Sequence, residues 1–181
     1  MSVSRTLLGL LEAEPQHGYT LRRRYDEWFG TARPLKSAQV YSTLQRLARD
    51  GLVDLTGIEG GGGPERHVYT ITGPGVDELE RWLEEPEVPD MSMSRRALFA
   101  KVVIALASGR PAEHLLHNQR QSHLSRMREL RAARQRGDLL TQLAADFESH
   151  HLNADLQWMD AADARLAQLG EALRGIDGVD R

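Results

Sequence analysis

Apolar residues in the first 84 positions fall into short runs whose spacing changes from one segment to the next. Leu7, Leu8, Leu10 and Leu11 form a tight cluster with helical spacing that ends before Pro15. From His17 to Phe29 a second helix is predicted. Leu21, Tyr25 and either Trp28 or Phe29 share one face, Arg22, Arg23 and Arg24 sit between them and read as solvated surface ahead of a phosphate clamp, and Gly30 and Pro34 break the pattern. A third helix follows with Ser37 as its N-cap. In it Val40, Leu44 and Leu47 recur at i, i+4 and i+7 as one buried stripe, and Gly51 stands just past its end. Leu52 to Ile58 and His67 to Thr72 are rich in β-branched and aromatic residues and predict two strands of a hairpin. Between them lie four glycines, residues 60–63, which cannot propagate a helix and predict a flexible tip. Thr72-Gly-Pro-Gly then leads into a helix carrying Val76, Leu79, Trp82 and Leu83.

Residues 85–93, with two prolines and three acids, read as a linker. The rest is helical by pattern. One apolar helix runs from Arg95 to Ala107 and stops at Ser108-Gly109. Pro111 opens a long polar helix that runs to Arg136, and Gly137-Asp138 breaks it. A last helix is predicted from Asp138 to Leu173. Its stripe is Leu143, Phe147, His151, Ala154, Trp158, Ala162, Leu166, Leu169 and Leu173. The fold class that follows is mainly α with a small β-hairpin. The domains are residues 1–84, a linker over 85–93, and a helical domain over 94–181.

Composition narrows this picture only slightly. At 181 residues, 40% hydrophobic and 27% charged, the chain is ordinary globular material, long enough to bury a core. Without cysteine it has neither disulfides nor thiolate metal sites. The N-terminal apolar run lacks a basic leader and a cleavage site and reads as a core helix. No apolar stretch approaches the ~18 residues of a membrane span. A soluble, cytoplasmic protein is expected. The net charge of −3 hides a split: residues 1–75 carry 9 basic and 8 acidic residues, residues 76–181 carry 14 and 18. The first part is therefore the better partner for a polyanion, but only through where its charges lie.

The order helix, helix, turn, helix, hairpin, helix is that of a winged helix-turn-helix. On the third helix Gln39, Ser42, Thr43, Gln45, Arg46 and Arg49 make an outer face. Its amides and hydroxyls suit base edges in a major groove, and its arginines suit phosphates or guanines. Lys36 and Ser37 stand at its N-terminus, where free N–H groups favour a phosphate. Arg66 and His67 flank the glycine tip, within reach of backbone or minor groove.

Taken together, TLLGLL, PQHGYTLRRRYDEW, SAQVYSTLQRLARDGLVD and RHVYTITGPGVDELERWL resemble the N-terminal domain of PadR-family regulators over about residues 5–84. The matching positions are Leu7–Leu11; Pro15, His17, Gly18 and Tyr19; Tyr41, Leu44, Leu47, Asp50, Gly51 and Leu52; and Tyr69, Ile71, Thr72 and Gly75. The resemblance implies a repressor that binds operator DNA as a homodimer, its recognition helix in the major groove and its wing beside it. Carried onto matching positions, Tyr19, Ser37, Gln39, Tyr41, Ser42, Gln45 and Arg66 are the implied DNA contacts. The wing departs from the family: it is glycine-rich and contains Glu59 and Glu65 where the family carries more Lys and Arg. The C-terminal half resembles the longer subfamily, in which this region dimerises by exchanging helices. The stripe from Phe147 to Leu173 is too long and apolar for a solvated helix and needs a partner surface.

Other chemistry has less support. Glu113, His114 and His117, with Glu148, His150 and His151, include ligand types zinc favours, but no HExxH pattern or fixed third ligand accompanies them. They read as surface histidines, and neither a metal nor another cofactor is expected. No activated serine, Walker loop or dinucleotide fingerprint is present, so no catalytic residue is assigned. Phe99, Phe147 and Trp158, with Met159, suit either an effector pocket for a small aromatic or drug-like molecule or simple packing of a dimer interface. Arg95 and Arg96 are cations that would suit an acidic effector. The competing functional reading is a winged-helix module that binds protein and does not read DNA.

Overall fold

The computed structural model describes residues 2–29, 34–59, 66–89 and 94–177. The chain divides into two compact units, Met1–Leu83 and Glu84–Arg181. The predicted glycine tip and Gly30 lie outside the described residues, as do positions 90–93 of the predicted linker.

The first unit runs α1 (Val3–Glu12), β1 (Gln16–His17), α2 (Gly18–Phe29), α3 (Ser37–Arg49), β2 (Val53–Glu59), β3 (Arg66–Ile71) and α4 (Gly73–Glu84), the last residue of α4 falling in the second unit. Its core gathers the predicted stripes: Leu7, Leu8 and Leu11, then Leu21 and Tyr25, then Val40, Leu44 and Leu47, then Leu79 and Trp82, all buried. Each fully buried leucine contributes about 2 kcal/mol of transfer free energy. The architecture is a winged helix: three helices packed together, a hairpin after the third, and a fourth helix.

Several local expectations change. Gln16 and His17 are not helical. They pair antiparallel with Tyr69 and Val68 and add a third strand, giving the order β1-β3-β2. The Gln16 side chain donates from Nε2 to the Leu10 carbonyl (2.7 Å), which ties the strand to the end of α1. Helix α2 therefore starts at Gly18, where a Cβ would stand 2.8 Å from Tyr41 Cε1; the missing side chain lets Tyr41 lie against α2. The three arginines do not form one solvated face. Arg24 is buried and paired with Glu14 at 3.0 Å. It stands three residues after Leu21 and next to Tyr25, on the inward side of the helix. Ser37 is the first residue inside α3, and the N-cap is Lys36, with extended backbone and no side-chain cap bond. Thr43 is buried, its hydroxyl donating to the Gln39 carbonyl at 2.7 Å, so it does not belong to the outer face.

The base of the hairpin is held by Gly51, Thr72 and Gly75. Gly51 leaves α3 with φ +71°, the left-handed conformation that favours glycine. The Thr72 hydroxyl donates to the Gly51 carbonyl (2.7 Å) and accepts from the Gly75 N–H (3.2 Å). A Cβ on Gly75 would collide with the Leu52 carbonyl oxygen. The end of α3 and the start of α4 are thereby fastened together.

The second unit comprises α5 (Ser94–Ala107), α6 (Ala112–Arg136), α7 (Leu139–Asp163) and α8 (Leu166–Asp177). Helices α6 and α7 form an antiparallel hairpin crossed by ion pairs: Arg120–Asp160 at 2.6 Å, Arg126–Glu148 at 2.6 Å and Arg134–Asp146 at 2.7 Å. Asp138 caps α7, accepting from the Thr141 N–H at 2.9 Å and its hydroxyl at 2.7 Å. The single helix predicted from Asp138 to Leu173 is in fact two. A turn at Ala164–Arg165 ends α7, Leu166 is buried, and α8 packs on α5. No glycine or proline announces that turn; burial of Leu166 accompanies it. Nor is the predicted stripe the face that α7 lays on α6. Ala145 and Leu152 share a cluster with Leu130 of α6, and Met159 is also buried, whereas Leu143 and Phe147 are exposed.

The polar interior of this unit had no counterpart in the sequence reading. Lys101, Gln119, His123 and Asp155 are all buried. The Glu87 N–H donates to Gln119 Oε1 (2.7 Å), and Gln119 Nε2 donates to the Glu87 carbonyl (2.8 Å). The same Nε2 lies 3.2 Å from His123 Nδ1. His123 Nε2 stands 3.6 Å from Asp155, which accepts from Arg95 Nε at 2.5 Å. Lys101 donates to the Glu85 carbonyl and pairs with Glu87 at 2.7 Å. Residues 85 and 87 of the predicted linker are thus held within the second unit.

Candidate nucleic-acid interface

The four buried positions of α3, Val40, Thr43, Leu44 and Leu47, leave the opposite side of the helix to solvent. Gln39, Ser42, Gln45, Arg46 and Arg49, spaced by three, three, one and three residues, are all exposed there. Among the described residues the side chains of Lys36, Gln39, Gln45 and Arg46 have no hydrogen-bond or ion-pair partner. Arg49 is paired with Asp50 at 3.0 Å, and the Ser42 hydroxyl donates back to the Gln39 carbonyl at 3.1 Å. Gln39, Gln45 and Arg46 therefore offer their full donor and acceptor sets outward, the chemistry that reads base edges.

Tyr41 is half-exposed at the crossing of α2 and α3, its ring against Gly18. Burial, with Tyr41 nearby as a second cause, pushes the Tyr69 phenol above its usual range. Tyr41 serves packing as well as surface chemistry.

At the N-terminal edge of α3 a second group assembles. Tyr19, on the first turn of α2, is 63% exposed. The Arg22 guanidinium lies over its ring, 5.6 Å from the centroid, and Arg22 Nη1 donates to Ser37 Oγ at 3.0 Å. Lys36 is exposed beside Ser37. The approach to α3 is held by Asp26, whose carboxylate accepts from the Leu35 N–H at 2.7 Å. The sequence names Tyr19, Lys36 and Ser37 as contacts and favours solvated surface over a phosphate clamp for Arg22. Its spacing of three from Tyr19 on one helix face was the available signal.

The wing candidates are Arg66 and His67. The backbone of Arg66 pairs with Glu59 across the hairpin, and their side chains lie outside the described residues. His67 is half-buried opposite Ile58, with its Nδ1 buried and without a partner among the described residues. The structure thus gathers the α2 and α3 candidates and leaves His67 turned partly into the sheet.

Phe99, Phe147 and Trp158 are each partly exposed, Phe147 packing against His151 with ring centroids 4.4 Å apart. They line neither of two clefts in this unit. One, of about 280 Å³, lies between Pro111 and Leu166; the other, of about 790 Å³, is bordered by His114, His117, Arg120, Asp160 and Asp163. Arg95 is committed to Asp155. Among the described residues no three His, Asp or Glu side chains converge to hold a metal ion. None of the described helices is long and apolar enough to cross a membrane.

Residues 7–81, spanning α1 to α4, match the Transcriptional regulator PadR-like family. Through this unit the chain is similar to the PadR-like family. That family consists of transcriptional regulators, not enzymes. A probable transcriptional regulator of Mycobacterium tuberculosis is 33% identical over 89 residues, 49% of this chain and 47% of that one. The chain thus matches about half the length of that relative. The negative transcriptional regulator PadR of Bacillus subtilis is 24% identical over 127 residues, 70% of each chain. The crystal structure of Bacillus subtilis PadR in complex with operator DNA superposes with a TM-score of 0.45 at 19% identity, covering 87% of this chain and 96% of that one. The PadR motif positions are the ones that fasten the unit together: Gly18 admits Tyr41, Gly51 ends α3, and Thr72 and Gly75 tie α4 to Leu52.

Proposed function

We propose that the chain is a sequence-specific DNA-binding repressor that acts in the cytoplasm as a homodimer on a pseudo-palindromic operator. The observation that carries this reading is the outer face of α3: Gln39, Gln45 and Arg46 are exposed, unpartnered and on one side of a helix whose other side is core. Tyr41 and Ser42 flank them, and Tyr19, Lys36 and Ser37 stand at the helix's N-terminal edge. In this reading α3 enters the major groove, its amides and Arg46 meet base edges, and the N-terminal group meets phosphate. Arg66 and His67 contribute a lesser contact from the wing.

Dimerisation is supported by α7. Leu139, Leu140, Leu143 and Phe147 are 81%, 74%, 66% and 52% exposed, a run of large apolar side chains left uncovered by the described residues of this unit. A second copy would cover it. A two-fold dimer sets two recognition helices about one DNA turn, ~34 Å, apart. A small aromatic or drug-like effector binding near Phe99, Phe147 or Trp158 would release DNA if it favoured a dimer with different spacing. Its effect is limited to its differential affinity for the two states.

The test is substitution of Gln39 and Arg46 by alanine in a mobility shift. Each change should weaken specific binding roughly ten-fold, the scale of one bidentate base contact. If neither alters affinity for any duplex, the winged helix is a protein-interaction module and this reading fails.

A further inference from the structure

The three consecutive arginines of α2 have separate fates. Arg24 is buried against Glu14, and Arg23 is exposed. Arg22 turns toward α3, where its guanidinium lies over Tyr19 and donates to Ser37 Oγ. Among the described residues no carboxylate pairs with Arg22. This is a cation held in place by a ring face and a hydroxyl, without a counter-ion.

The hydrogen-bond roles that follow are specific. Ser37 Oγ accepts from Arg22, which leaves its own O–H to donate outward. The Tyr19 hydroxyl is exposed on the ring that Arg22 covers. Lys36, at the neighbouring position, has no partner and supplies a second cation. Every group in the cluster can donate, and no carboxylate competes. The fitting ligand is an anion with several oxygens, oriented by a planar guanidinium. The cluster also sits at the N-terminal edge of α3, to one side of the stripe formed by Gln39, Ser42, Gln45 and Arg46, so it suits the strand backbone better than base edges.

We infer that Arg22 is a positioning residue for DNA, holding Tyr19 and Ser37 as one phosphate-binding group that fixes the register of α3 on the duplex. The inference rests on the DNA-binding reading above and adds a residue to it. Phosphate contacts of this kind set position and salt dependence but carry no sequence information. Loss of Arg22 should therefore weaken binding to every duplex alike.

The experiment uses the full chain, a duplex of random sequence and a duplex enriched from a random pool, each titrated over a range of salt. Arg22→Gln should lower affinity for both duplexes by a similar factor, roughly ten-fold at low salt. It should reduce the slope of log K against log salt by about one. Arg22→Lys should restore the slope but only part of the affinity, because an ammonium cannot make the planar contact with Tyr19 and Ser37 together. Unchanged affinity and slope in Arg22→Gln, with the parent chain binding DNA, would overturn this inference and leave the general reading standing. So would a loss confined to the enriched duplex, which would make Arg22 a base reader. A parent chain that binds neither duplex would remove the DNA-binding reading itself.

Discussion

At the scale of single residues, glycines and one threonine do much to set the geometry of the first unit. Gly75 lies against the Leu52 carbonyl, so Gly75→Ala forces the start of α4 away from the end of α3. We predict a loss of about 2 kcal/mol, the usual range for overpacking, measured by urea denaturation of the full chain. A value within about 0.5 kcal/mol of the parent would mean that the contact relaxes freely. Much at this scale was legible. The apolar stripes of α1 and α3, Gly51 and the outward Gln39, Gln45 and Arg46 all follow from periodicity and lie where expected. The exceptions have physical causes. Thr43 sits beside Leu44 on the border of the buried stripe, and its hydroxyl is satisfied by the backbone four residues earlier, so a polar side chain is buried without cost in partners. Arg22 and Arg24 are the same residue type on one helix and were read as one surface. Only their angular positions, three residues after Tyr19 and Leu21 respectively, separate a surface contact from a buried ion pair.

At the scale of elements, the long hairpin of α6 and α7 is built on a tight turn and a buried polar network. Gly137 packs so closely on Thr141 that any Cβ would collide, and Asp138 then caps α7. The hydrogen bonds from the Thr141 N–H and hydroxyl hold the Asp138 carboxyl below its ordinary value of 3.8. Because the folded value is depressed, its contribution is present above about pH 4 and is lost as pH falls through the folded value. Asp138→Asn should therefore be less stable than the parent near neutral pH, and the gap should close as the solution is acidified below that point. A gap that is constant with pH would show that the charge contributes nothing. Gln119 supports a second prediction. Its amide is oriented by both backbone groups of Glu87, and Gln119→Leu would leave those two groups unsatisfied, while His123 Nδ1 keeps the Gln119 carbonyl at 3.0 Å. Thermal or urea unfolding should report a loss of about 1–3 kcal/mol. The sequence did not display this network, because Lys101, Gln119, His123 and Asp155 come from three helices and meet only when those helices pack. The break between α7 and α8 was hidden for a related reason. A turn without glycine or proline leaves no local mark, and the apolar period runs through it.

At the scale of the whole molecule, two units carry two tasks in the proposed account. Residues 1–75 have 9 basic and 8 acidic residues, so bulk charge does not attract DNA and recognition depends on the arrangement of a few side chains. The second unit leaves the apolar row on α7 uncovered. Leu143→Glu, or Phe147→Glu, should convert a dimer to a monomer in sedimentation equilibrium, because a charge would be buried without a partner in the interface. The same variants should bind DNA with one half-site's affinity. A parent chain that is monomeric at micromolar concentration would remove the dimer from the account without touching the α3 interface.

The central claim is that α3 reads DNA sequence, and selection from a random duplex pool with the purified full chain tests it most directly. Enrichment of a two-fold symmetric sequence with half-sites about one helical turn apart, bound with a steep salt dependence, is the expected outcome. No enriched sequence, together with binding that is absent or equal for all duplexes, would contradict it.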